Sequence, residues 1–361
     1  MSGNTRRLDQ LTSIRGIAAW WVVIYHSQAF LKDKISPDIL NVISYGYLAV
    51  DLFFVLSGFV LFLNYHSRVN KNHPKTILIF YWNRFARIYP VHFVMMISYL
   101  VLAATFFYFS SSGKPPASFS IETFIQSLLL LQTWGDNDLT WNVPSWSISS
   151  EWAVYMVFPF IVFLMKKYLA GVAMHIFLSI FALISIGYIY NILGMASIGS
   201  SIAKMAVIRT LFEFILGCVI ASVYLNHTDF IVKFRYFGLV IFTSLCLIFV
   251  NYKIDDYFIF PAAFFILIAY LSVDTSYITR ILSLPLLVYL GEISYSTYMV
   301  HYFIYDIFKA GIGTLYEYAG LSHLAISFVV VLLVSIAMHH IIEIPSQKYL
   351  RNKFSNRKLV K

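Results

Sequence analysis

Charge is what this chain of 361 residues has least of: Asp, Glu, Lys and Arg together make up 12% of it, against about 25% in an average soluble domain. A surface wetted on all sides is not built from so few charges, so a soluble globular protein is excluded and a membrane protein is expected. Cysteine is nearly absent. Cys218 and Cys246 stand alone in apolar runs with no CxxC spacing, which excludes a disulfide framework and a zinc site, and no metal is expected. Acidic residues are scarce beside basic ones, 17 against 26, for a formal net charge of +9. In so apolar a chain that excess points to basic cytoplasmic loops and phosphate-bearing ligands, not to nucleic acid. A cleavable leader is not expected either. Arg6 and Arg7 precede a long apolar segment, but Arg15 and His26 interrupt it and no small-residue cleavage site follows, so the segment is expected to stay as a first span.

What is present in excess is the long apolar run. Hydrophobic residues make up 60% of the chain and aromatics 18%. A membrane-spanning helix needs about 20 mostly apolar residues, and that rule predicts spans near 11–31, 45–65, 88–109, 146–165, 169–193, 203–225, 235–251, 257–273, 284–307 and 321–342. The expected fold is an all-α polytopic membrane protein of about ten transmembrane helices. With the N-terminus inside, the cytoplasmic segments hold 18 of the 26 basic residues and the outer loops 6, so both termini are expected in the cytoplasm. The longest gap, 110–145, contains TFIQSLLLLQTW, which is too short to span and is expected to re-enter or lie at the interface.

Polar residues inside the spans are the candidates for chemistry. Thr12–Ser27 reads TSIRGIAAWWVVIYHS. At about 100° per residue Arg15 and His26 share a helical face, and they stand about 16.5 Å apart along the axis. Arg15 falls near the cytoplasmic mouth and His26 toward the outer half. Either alone reads as a snorkelling arginine or a hydrogen-bonded core histidine; together they predict a polar path. The second span carries Asp51 near its outer end and Ser57-Gly58 at its middle, where small residues suit close helix packing. In FYWNRFARIYP, Arg84 and Arg87 lie three apart on one face, the spacing of a paired phosphate site as well as of ordinary interfacial arginines. In NVPSWSISSEWAVY, Glu151 lies four residues before Tyr155, able to favour the helix start, orient a histidine or bind a sugar hydroxyl. Glu213 is expected to pair with Arg209 at i, i+4. Further on, GEISYSTYMVHYFIYD holds Glu292, Ser294, Tyr295 and His301. In HHIIEIPSQKYL, His339, His340 and Glu343 are expected as anchors at the inner interface, with Pro345 ending the helix.

Five of these pieces in order (Arg15-x10-His26, DLFFVLSGF at 51–59, RFARIYP at 84–90, WSISSEWAVY at 146–155 and GEISYSTYMVH at 291–301) resemble the membrane acyltransferase-3 family. The resemblance covers nearly the whole chain. It implies a ten-span protein of the cell inner membrane that moves an acyl group, commonly acetyl from acetyl-coenzyme A, onto an extracytoplasmic carbohydrate. Residues 1–345 would form the membrane acyltransferase domain and 346–361 a basic cytoplasmic tail. Many members carry an added periplasmic hydrolase-like domain. None is expected here after the tenth span, so the membrane part or a partner is expected to complete the reaction. For such a reaction His26 is expected to act as general base or as transient acyl carrier, Glu151 to orient its imidazole or bind the acceptor, and Tyr155 and Ser57 to stabilise the developing oxyanion. Arg15, Arg84 and Arg87 would hold the coenzyme. Asp51, Trp134, Trp141 and His301 are expected on the acceptor side, with Asp136 and Asp138 adding acidic character to the outer loop. The alternative from another class is a proton-coupled exporter, which Arg15, Asp51, Glu213 and His301 would also suit. No inverted repeat is visible to support it.

Overall fold

The computed structural model describes residues 8–32, 34–69, 74–109, 119–135, 139–169, 171–312 and 321–356. Among these residues the regular elements are all helical. In chain order they are α1 (Asp9–His26), α2 (Gln28–Leu31), α3 (Pro37–Ser44), α4 (Ala49–Val69), α5 (Pro74–Phe109), α6 (Ile121–Leu128), α7 (Trp146–Tyr168) and α8 (Val172–Ile192). There follow α9 (Ile202–Asn226), α10 (Thr228–Tyr252), α11 (Asp256–Val273), α12 (Tyr277–Leu282), α13 (Pro285–Glu292), α14 (Ser294–Ile312), α15 (Leu321–Ala337) and α16 (Ile344–Asn356).

Among the described residues, eight helical segments are long and apolar enough to cross a membrane: Pro37–Val69, Pro74–Thr105, Val143–Tyr168, Val172–Ile192, Ile202–Asn226, Arg235–Tyr252, Asp256–Val273 and Ser322–Lys353. The chain is thus an all-α, multi-pass membrane protein. Ten spans are expected from the sequence, and the two outside this set are α1 and α14. Both have the necessary length, 18 and 19 residues. Asp9, Gln10, Arg15 and His26 lower the hydropathy of the first, and a run of Ser, Tyr and His with Asp306 and Lys309 that of the second. The expected span 284–307 is also not one helix, because α13 ends at Glu292 and α14 begins at Ser294.

Pro345 does not end the last helix. A π-helical turn, Met338–Glu343, joins α15 to α16. Pro345 falls in the first turn after it, where a missing backbone N–H costs least. The basic tail therefore starts as helix, and 357–361 lie outside the described residues. In the gap 110–145 the described part includes the eight-residue helix α6, which Ser120 caps by accepting from the Thr123 N–H at 3.1 Å.

The chain divides into two compact units. The first comprises Met1–Ala18, Leu48–Leu78 and Ala153–Glu292. Its centre is the contact of α4 with α9, which depends on two glycines. A Cβ added at Gly58 would stand 2.0 Å from the Phe214 carbonyl oxygen, and one at Gly217 1.9 Å from that of Val55. Helix backbones meet this closely in membranes only through small residues. Toward one end of the same contact, Arg209 donates through Nε and Nη2 to the two oxygens of Asp51, at 2.6 and 2.7 Å. Its Nη1 donates to the Ile198 carbonyl at 3.0 Å. The hydrogen-bonded partner of Arg209 is thus Asp51 and not the expected Glu213, which interacts with the guanidinium electrostatically. The carboxylate of Asp51 presents both oxygens to the planar guanidinium fork, a geometry that favours it over a neighbour one turn along the same helix. Asp51, Arg209 and Glu213 are all buried.

After α11, burial pushes the Asp274 carboxyl up, but hydrogen bonds from Ser276 and Thr279, each 2.6 Å long, outweigh it and hold the group below its usual value. A depressed carboxyl stabilises the folded state above its unfolded pKa of about 4, and that contribution is lost as pH falls through the lower folded value. Asp274→Ala is expected to cost about 1–3 kcal/mol at neutral pH. Thermal unfolding in detergent should show the difference from wild type shrinking below pH 4; an unchanged difference would contradict it.

The second unit comprises Ala19–Tyr47, Ile79–Trp152 and Ile293–Lys361. Its core includes Val23, Phe30, Tyr305, Leu324 and Val331. A buried polar network lies in the same unit. Glu343 accepts from Arg87 and, at 2.7 Å, from the Ser296 hydroxyl, and it bonds His339 Nδ1 at 3.0 Å. The expected role of His339 and Glu343 as interfacial anchors is therefore replaced by a buried one, because Glu343 gathers three partners away from water.

Candidate active site

In the second unit the imidazoles of His26, at the end of α1, and His301, in α14, face each other. Their ring centroids are 5.0 Å apart, and His301 Nε2 lies 3.2 Å from His26 Nδ1. Each ring also has a carbonyl within reach. His301 Nδ1 is 2.7 Å from the Tyr298 oxygen, and His26 Nδ1 is 3.0 Å from that of Val22. These distances assign the tautomers, because a carbonyl only accepts. His301 carries its proton on Nδ1 and donates it to Tyr298, which leaves Nε2 as an acceptor. His26 then carries its proton on Nδ1, shared between Val22 and His301, and its Nε2 keeps a lone pair. Among the described residues that Nε2 makes no hydrogen bond. His301 is fully buried while His26 is half-buried, so the imidazole with the open nitrogen is the accessible one. An oriented base with an available lone pair is what proton abstraction or acyl capture requires.

The surrounding sequence explains why α14 sits where it does. Asn142 donates to the Met299 carbonyl at 3.1 Å, and the Tyr298 hydroxyl donates to the Pro144 carbonyl at 3.0 Å. The NVPSWS segment is therefore a clasp on the turn that carries His301. On the other side the Tyr305 hydroxyl donates to the Val23 carbonyl at 3.0 Å, tying α14 to α1 one turn from His26. The rings of Tyr25 and Tyr302 stand nearly perpendicular to that of His26, with centroids 4.8 and 5.2 Å away. A tyrosine collar of Tyr25, Tyr298, Tyr302 and Tyr305 thus surrounds the histidine pair. These tyrosines and Asn142 are absent from the expected site. The signal for Tyr298, Tyr302 and Tyr305 was their i−3, i+1 and i+4 spacing about His301; no local pattern connects Tyr25 or Asn142 to it.

The other expected residues are placed as follows. In the second unit, Arg87 is half-buried, pairs with Glu343 and lies over the Tyr295 ring at 5.4 Å. Arg84, three residues earlier on α5, is half-buried, as is Glu151 in the first turns of α7. Trp134 is exposed and donates to the Ser149 carbonyl at 3.1 Å, whereas Trp141 is buried among Phe119 and Phe124. Asp136 and Asp138 lie outside the described residues. In the first unit, Arg15 donates to the Gly291 carbonyl at 3.0 Å. Ser57 and Tyr155 hold their hydroxyls 3.2 Å apart, and Asp51 is the buried partner of Arg209. Among the described residues no cluster of His, Cys, Asp and Glu could hold a metal ion.

Comparison with known proteins gives one family match over most of the chain: residues 8–340 match an acyltransferase domain family. An acyltransferase of Streptomyces mycarofaciens, MdmB, is 32% identical over 167 residues, 45% of this chain and 41% of the relative. The O-acetyltransferase OatA of Staphylococcus aureus is 24% identical over 323 residues, 82% of this chain and 50% of the relative. The nose resistant to fluoxetine protein 6 of Caenorhabditis elegans is 25% identical over 134 residues, 30% of this chain and 16% of the relative. The chain thus spans half or less of the length of these relatives. No solved structure matches it.

Proposed function

The chain belongs to the acyltransferase-3 family, and on that premise we propose that it is a membrane O-acyltransferase of the cell inner membrane. It moves an acyl group, acetyl first among them, from cytoplasmic acyl-coenzyme A to a hydroxyl of an extracytoplasmic carbohydrate. The observation that supports this reading best is the open Nε2 of His26, on a ring oriented by the contact of Nδ1 with Val22 and His301.

In the proposed reaction Nε2 takes the proton of an acceptor hydroxyl as the oxygen attacks the thioester carbonyl carbon. The tetrahedral intermediate collapses with cleavage of the carbon–sulfur bond. Coenzyme A leaves as thiolate and collects the proton from Nε2, so the histidine ends as it began. His301 is a positioning residue: it fixes the tautomer and ring plane of His26 and accepts a share of the Nδ1 proton. Glu151 belongs with the acceptor. A nucleophilic route through an acetyl-imidazole uses the same nitrogen.

Arg84 and Arg87 are proposed to meet the coenzyme's phosphates. The Glu343 carboxylate already occupies Arg87, so a bound phosphate shares or displaces that pairing. Coenzyme A binding to detergent-purified protein tests this, with wild type beside Arg84→Ala and Arg84→Ala/Arg87→Ala. Removing each arginine–phosphate bond is expected to lower affinity about tenfold or more, given about 1.5–3 kcal/mol for a charge-assisted bond. Arg84→Ala leaves the Arg87–Glu343 pair intact and separates donor binding from folding. Folded wild type that binds no coenzyme A would favour the exporter alternative, with His26 as a proton carrier.

A further inference from the structure

The first unit contains a cavity of about 350 Å³ between α8, α9, α10 and α11, within the range of roughly 300–1,000 Å³ typical of ligand pockets. Its walls are mostly aliphatic and aromatic, and two of its lining residues on α8, Ile176 and Ile180, are 45% and 51% exposed. The cavity therefore opens on the apolar outer surface of these helices. Along α8 its lining runs from Val172 to Leu183, and along α10 from Phe230 to Ile241. Eleven residues of helix are about 16.5 Å long, close to half the hydrocarbon core of about 30 Å. One leaflet's acyl chain has that length.

The polar groups gather toward one end. His175 lies in the first turn of α8, with Nε2 2.8 Å from the Ser222 hydroxyl and its ring 5.7 Å from that of His227. Arg235, on the cavity wall, stacks over Tyr236 at 4.6 Å. The opposite end, at Leu183, Ile241 and Ala262, is apolar. An apolar space with so few polar groups does not hold water well, and in a bilayer the available filler is hydrocarbon. Arg235 stands midway along the α10 lining, between Phe230 and Ile241, and a long side chain that leans toward the helix start carries its cation toward the polar end, where it complements an anionic headgroup. We propose that this cavity binds one acyl chain of an anionic membrane phospholipid, with its phosphate at Arg235 and its chain end beside Leu183 and Ala262. The site is distinct from the histidine pair and independent of the reaction proposed for it.

The test uses the full chain in nanodiscs containing phosphatidylglycerol with a diazirine in one acyl chain, followed by photolysis and peptide mapping. Labelling is expected to concentrate on the segments around 176–183, 238–241 and 262–269. Ala262→Phe/Ala269→Phe, which fills the slot from α11, should reduce it at least fivefold while α15 labels as before. Arg235→Gln should reduce labelling by phosphatidylglycerol but not by the matching phosphatidylcholine probe. Wild-type labelling spread evenly over cavity and α15 would overturn the proposal without reference to any variant's fold. Equal labelling by both probes in wild type would overturn the placement of the phosphate.

Discussion

Replacing His26 with alanine is expected to lower acyl transfer by about 10²–10⁴-fold, the usual contribution of a positioned general base or acid. Insertion and coenzyme A binding should be preserved. The size of the effect follows from the site. His26 is the half-buried member of the pair, its Nδ1 is held by Val22 and His301, and Nε2 is left to react. Alanine removes the only part of this arrangement that touches the reacting atoms in the proposed mechanism. It also takes away the donor that faces His301 Nε2, a change that the Tyr298 and clasp contacts should withstand. Acyl ester on extracytoplasmic carbohydrate, measured in cells that express the two proteins at equal level, gives the comparison. Wild-type acylation by the alanine variant would remove His26 from the chemistry.

Asp51→Ala is the second change with a large expected effect. The Asp51–Arg209 pair is buried, and Arg209 is 2% exposed. Truncating Asp51 removes both bonds from the guanidinium to its carboxylate, while the Ile198 carbonyl and the buried Glu213 stay beside it. Breaking a buried pair in this way costs about 3–5 kcal/mol, while replacing both members by apolar residues costs far less. Asp51→Ala is therefore expected to unfold at markedly lower temperature in detergent, and Asp51→Ala/Arg209→Met to recover most of the difference. The measurement also separates two roles for Asp51. A variant with wild-type stability and no acyl transfer would return Asp51 to the acceptor side, where the sequence suggests it.

The elements and the individual polar residues were legible in the sequence; their partners mostly were not. Apolar runs of span length announce the helices because the bilayer demands internally satisfied backbone. The two polar helices, α1 and α14, were legible as helices of span length, although the polar residues they carry keep them outside the set apolar enough to cross a membrane. His26 and His301 each stand out as histidines in apolar surroundings, but they are 275 residues apart in the chain, and no periodicity connects them. Arg209 shows the same limit. The local rule offers Glu213 one turn away, whereas Asp51, 158 residues distant, supplies the two oxygens that a guanidinium fork fits. Pro345 misleads for a local reason: a π turn ahead of it changes the register in which its ring and missing N–H are felt. Trp141, expected at the outer rim as a sugar contact, is buried against Phe119 and Phe124, with its indole N–H donating to Thr123 at 3.1 Å.

In the proposed reaction His26 and His301 act as one unit, the second solely through the first. The direct test is the initial rate of coenzyme A thiol release from acetyl-coenzyme A by purified protein, in wild type, His26→Ala, His301→Gln and the double variant. Residues that act as a unit are not additive. His301→Gln is expected to lower the rate less than His26→Ala, and the double variant to be no slower than His26→Ala alone. A double variant slower by the product of the two single effects would show two independent contributions and contradict it.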